Sequence, residues 1–140
     1  MQREDAIAPI SKEALAAFRE GKRAITQEVA ARSLSREDEV AHHGEEAERL
    51  VTSGIEFTTR MLEAALKLGE ITLLDDQLTW AMERLPHDGV SPQYVLNRFR
   101  IYRRVVEDLL PRSHALEITP FLDWMIARQR ELIRQERDSA

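Results

Sequence analysis

The stretch "RLPHDGVSPQYVLNRF", Arg84 to Phe99, sets a histidine, a glycine turn and a proline-opened helix side by side. Pro86 disfavours α geometry in the residue before it, so a helix arriving from Thr72 is expected to stop at Leu85 and leave His87 in the turn. Ser91-Pro92 then offers an N-cap oxygen followed by a residue with no N–H to leave unpaired. Beyond it Val95, Phe99, Tyr102, Val106 and Leu109 recur on one face until Leu110 meets Pro111. The stretch therefore joins two helices. The incoming one carries Leu74, Leu78, Ala81 and Leu85 inward, flanked by Leu73 and Trp80.

The same period continues in both directions. Pro9 to Leu34 carries Leu15, Phe18, Ile25 and Val29 at 3-4 spacing, interrupted by Lys22, a narrow stripe of the kind that seams two helices together. Ser35-x-x-Asp38 has the spacing of a capping box and predicts a helix start near Arg36. From Glu45 to Lys67 one face holds Ala47, Val51, Gly54, Ile55, Thr58, Met61, Leu62 and Ala65, with Gly44 a break before it and Gly69 a stop after it. Thr119-Pro120 repeats the cap signal and predicts a last helix with Phe121, Trp124, Met125 and Leu132 inward, running into the polar "RELIRQERDSA". No alternation of strand period competes. The expected fold is an all-α bundle of five to six helices in one domain, 1–140, with a flexible start at 1–9, an N-terminal helix at 10–34 and a helical core at 35–137.

Composition removes several classes of function. A chain of 140 residues with 43% hydrophobic content supports one core. Without cysteine there is no disulfide, thiolate metal site, cysteine nucleophile or thioether-linked prosthetic group. A net charge of -5 argues against phosphate backbones and anionic membrane surfaces, so neither nucleic acid nor membrane insertion is expected. The start has no signal-peptide pattern and no apolar run long enough to span a bilayer, which points to a cytoplasmic protein.

Candidate chemistry is sparse. His42 and His43 diverge by about 100° on a helix, cannot hold one metal together, and read as a solvated pair. Glu39-x-x-His42 has the spacing of carboxylate-bridged di-iron bundles but lacks the second such motif. Arg98, Arg100, Arg103 and Arg104 crowd one helix; Arg100, Arg103 and Arg104 share a face with the charge to hold an anion or an acidic partner segment, but Glu107 and Asp108 supply ordinary intrahelical partners, so that face reads as solvated. No nucleophile elbow, phosphate loop, dinucleotide fingerprint or HExxH run occurs, and the chain is read as non-catalytic, with no cofactor and no metal site.

"GVSPQYVL", Gly89 to Leu96, resembles the run with which globin-coupled sensors open their G helix, and helix order extends the likeness from about Ser35 to Gln135. The resemblance places residues 72–85 as the F helix and 121–135 as the H helix. It puts Leu85 where haem-binding members carry the proximal histidine, and no tyrosine precedes Tyr94 to act as a distal donor. The chain thus resembles the non-haem sensor globins of stressosome proteins of the RsbR type, bacterial stress-response modules that form homodimers. That likeness implies regulation through a protein partner, an anti-sigma system or a histidine kinase, and a fatty acid as a possible occupant of the emptied haem space; the polar C-terminal stretch suits a linker to a further segment.

The candidate pocket lies between the 72–85 and 91–110 helices and is bounded by Leu78, Trp80, Leu85, Phe99, Tyr102 and Val106; the expectation is that large side chains collapse into it. The candidate dimer face is Leu15, Phe18, Ile25, Val29 and Trp124. Two alternatives stand beside this reading: a haem-binding sensor using His87, and the helical cap of a cobalamin-binding regulator, which "ALKLGEITLLDDQLTWAMERLPHDGVSPQYVL" also resembles.

Overall fold

The fold is seen in a computed structural model, which describes residues 7–139. Six α-helices run as α1 (Lys12–Leu34), α2 (Glu37–His43), α3 (Ala47–Leu68), α4 (Thr72–Arg84), α5 (Pro92–Leu109) and α6 (Arg112–Ser139). Short 3-10 turns, Gly44–Glu46 and Leu85–Asp88, follow α2 and α4, and no strand occurs among the described residues. The chain is an all-α bundle, as its periodicity predicts. Residues 1–6 of the expected flexible start lie outside the described residues.

Local signals set most boundaries. Ser11 caps α1 by accepting from the Ala14 amide at 3.0 Å, and Ser91 caps α5 by accepting from Gln93, with Pro92 in the first turn. Gly69 takes the left-handed conformation, φ 67°, that ends α3 and directs its N–H to the Ala65 carbonyl. Gly44 at φ 61° breaks the chain between α2 and α3.

The end of α4 and the start of α2 fall within a residue of where they are expected, while two other local signals fail. Leu85 keeps helical angles, φ -61° and ψ -35°, despite the proline after it, and the chain tightens into a 3-10 turn that carries Pro86 and His87 before Gly89 reverses it. The Ser35–Asp38 capping box does not form, because the Ser35 hydroxyl donates back to the Arg32 carbonyl and Asp38 pairs with Arg36. Thr119-Pro120 is not a helix start but lies inside α6, which opens after Pro111. Pro120 removes one backbone bond there, a cost that packing outweighs because Ala115, Ile118, Phe121, Leu122 and Met125 are all buried along the same helix.

One core joins α1, α3, α5 and α6. Phe18, Ile25 and Val29 of α1 are fully buried in it, beside Val51 and Leu62 of α3, Tyr102 and Val106 of α5, and Phe121 of α6. The α1 stripe expected to meet a second copy is therefore covered by the chain's own helices; only Leu15 stays partly exposed. Gly21 allows that packing, since a side chain there would press on Leu110 at 3.1 Å. Leu109, expected inward, is exposed, because the face of α5 that meets α1 and α6 runs through Val105, Val106 and Leu110 instead.

Candidate functional site

The inner faces of α3 and α5 are apolar at most positions, and one position on each is unlike the rest. Arg98 sits between Val95 and Tyr102 on the inner face of α5. Gly54 sits between Val51 and Thr58 on the inner face of α3. A Cβ on Gly54 would lie 3.0 Å from an Arg98 guanidinium nitrogen, so the glycine makes the room that the arginine occupies. Arg98 is only 4% exposed and donates to the Glu39 carboxylate of α2, itself 2% exposed. The two are a buried ion pair between segments far apart in sequence.

His43 completes this cluster. Its side chain is 2% exposed and its Nε2 lies 3.5 Å from the Glu39 carboxylate, an ion-pair distance without hydrogen-bond geometry. The solvated reading thus holds for His42, which is exposed, and fails for His43. Both rings pack edge-on around Tyr94, and His42 Nε2 is 3.3 Å from the Gly89 carbonyl. Glu39 therefore pairs one turn along the helix with His43 and not with His42, contrary to the di-iron spacing.

Next to Arg98 a cavity of about 490 Å³ opens between α3, α4 and α5. Leu50, Phe57, Leu78, Leu85, Val95 and Phe99 make its apolar wall. Its charged lining residues are Arg49 and Asp88, both substantially exposed at the rim, and Arg98, the one that is buried. The Arg98 Nε has no hydrogen-bond partner, which is costly for a guanidinium withdrawn from water.

The expected pocket is in this place but differently built. Leu78, Trp80, Leu85 and Phe99 line it; Tyr102 and Val106 do not, being buried behind it in the core. The expected collapse is absent, because Trp80 turns outward, 52% exposed and packed against Phe57, and leaves the volume unfilled. The third wall, from α3, was missed, as was Arg98, whose inward register beside Val95 and Tyr102 was the available signal. His87 is exposed in the 3-10 turn, as a loop residue would be. Trp124 is half-buried on α6.

Behind the cavity, Tyr102 shares a 2.9 Å hydrogen bond with the Thr59 hydroxyl. Burial pushes the Tyr102 phenol well above its ordinary value, against a smaller opposing effect of that bond. On the outer face of α5, Arg103 pairs with Glu107 as expected and also with Asp123 of α6, while Asp108 reaches across to Arg32 of α1. No group of three or more potential metal ligands occurs among the described residues, and no helix there is long and apolar enough to cross a membrane.

No model of a known protein family matches the chain, and a search of curated proteins finds no relative.

Proposed function

We propose that the chain is a non-catalytic sensor domain of the globin-coupled-sensor type that holds a fatty acid or similar apolar acid in the cavity between α3, α4 and α5. The observation that carries this reading is the wall itself: apolar on nearly every side, with one buried arginine that has an unused donor. Such a surface suits a ligand with a long apolar body and a single anionic end. About 490 Å³ admits roughly sixteen groups of water's size, about 30 Å³ each, the bulk of a medium to long acyl chain. Leu85 on the cavity wall and His87 out in solvent support a non-haem reading over the haem alternative.

The domain signals through contacts with a second copy and with a regulatory protein partner, in the cytoplasm. With the α1 stripe internal, the dimer contact moves to the outer side of α5 and α6, where Leu109 and Leu116 are exposed and Trp124 is half-buried.

Native mass spectrometry of the purified protein, with its absorption spectrum, tests the ligand. The expected result is a mass increment matching a fatty acid and no haem band; stoichiometric haem overturns the reading. Light scattering tests the dimer: the expected mass is twice the 16.2 kDa of the chain, and a monomer at about 100 μM, where even micromolar dimers persist, removes that part.

A further inference from the structure

Arg98 faces two places at once. Its Nη2 is held by Glu39, while the side chain also lines the cavity, where Nη1 lies against Gly54 of the same wall. Resting on the apolar-acid reading above, we infer that Glu39 is an internal stand-in for the ligand's carboxylate, which displaces it from Arg98 and thereby releases α2.

The argument is electrostatic. A guanidinium has donors enough for two carboxylates, but two such groups against one cation, in a place almost closed to water, leave a net negative charge with nothing to balance it. His43, the other polar group against Glu39, does not donate to it. One carboxylate therefore excludes the other. Glu39 can leave because α2 is short and mostly exposed: within Glu37–His43, Glu39 is the one residue buried as a whole, beside the covered His43 ring.

Its displacement has a defined path outward. The remaining attachments of α2 in this quarter are the long contact from Tyr94 to the Asp38 carbonyl, 3.5 Å, the His42 contact to Gly89, and the packing of both histidines on Tyr94. The two polar contacts are exposed or long, and the His43 ring is the one covered attachment among them. Asp88 and Val90, on either side of Gly89, line the cavity, so α2 and the ligand meet at the same corner of the fold. The site is selective for an apolar monocarboxylate over a neutral amphiphile, and its occupancy is reported at the surface as loosening of residues 37–46.

Titration calorimetry on the full chain with decanoate and with decanol separates the possibilities, using wild type, Glu39→Gln and Arg98→Met. Removing the competing charge in Glu39→Gln raises decanoate affinity by at least about tenfold, while decanol affinity stays within about twofold. Arg98→Met abolishes the preference for decanoate. Amide exchange over residues 37–46 quickens in wild type on adding decanoate and not on adding decanol. Circular dichroism reports whether Arg98→Met folds; if it does not, the Glu39→Gln arm and the exchange measurement decide alone. If wild type binds decanoate but Glu39→Gln binds it no better, or if decanoate slows exchange over 37–46, the competition is refuted while the apolar-acid reading stands. If no form binds either amphiphile, that reading falls and this inference with it.

Discussion

The two halves of the bundle are held by different physics. Where α1, α5 and α6 meet α3, the interior is filled by Phe18, Ile25, Val29, Val106, Phe121 and Leu122, all fully buried, and one of its few polar contacts, Tyr102 to Thr59, is satisfied. Where α2 and α4 complete the fold, α2 buries one whole residue and α4 buries three, α4 borders the cavity shared with α3 and α5, and α2 is tied to α5 by the ion pair. Close packing gives the first half a single arrangement, since any displacement opens a void. The second half has an unfilled volume and a buried charge with one carboxylate partner, so fewer contacts fix its arrangement.

Substitutions that trade on packing should divide along this line. Phe18→Ala is expected to cost about 3–5 kcal/mol, the range for deleting a buried ring, whereas Phe57→Ala, whose ring borders the cavity and Trp80, should cost under about 1 kcal/mol. Chemical denaturation measures both; equal losses would mean that the two halves are packed alike.

The ion pair gives the next largest effect. Arg98→Met alone strands Glu39 in the interior and should cost about 3 kcal/mol, while the double change Glu39→Leu with Arg98→Met should recover most of that loss. A double mutant no more stable than Arg98→Met would show that the pair is held for the shape of its groups and not for its charge.

Tyr102 sharpens the comparison from the packed side. Tyr102→Phe leaves the buried Thr59 hydroxyl unpartnered and should cost about 1–2 kcal/mol. The phenol's folded-state pKa lies above its unfolded value, so its contribution is complete below about pH 10 and is lost as pH rises beyond that. Wild type should therefore lose stability in alkali more steeply than Tyr102→Phe when both are unfolded by urea across that range. Parallel curves would mean that the phenol is solvated after all.

The joint between the halves should yield the smallest effects. Ser91→Ala removes the cap of α5 and should cost about 1 kcal/mol, and His87→Ala, in the exposed turn just before it, should change stability by less than about 0.5 kcal/mol. A larger loss at His87 would assign that turn a structural role the fold does not require of it.

What can be read from the amino-acid order alone follows the range of the interaction. Helix positions, the Ser91-Pro92 cap and the Gly69 stop depend on neighbours within one turn and are legible in the sequence. The place of the pocket is expected only through the likeness to sensor globins, and the cavity takes Leu78, Trp80, Leu85 and Phe99 of the six residues named for it. Tertiary packing overrode the rest. Pro120 stays inside α6 because burial along that helix outweighs one lost backbone bond. The α1 stripe has the same spacing whether it faces a partner or the chain's own core, and only the assembled bundle settles which. Arg98 reads locally as one more surface arginine, since its partner Glu39 stands 59 positions away on another helix and the space it fills is opened by Gly54 on a third. Periodicity is a property of one helix, whereas a buried pair and the cavity beside it are properties of three helices brought together, which no single segment encodes.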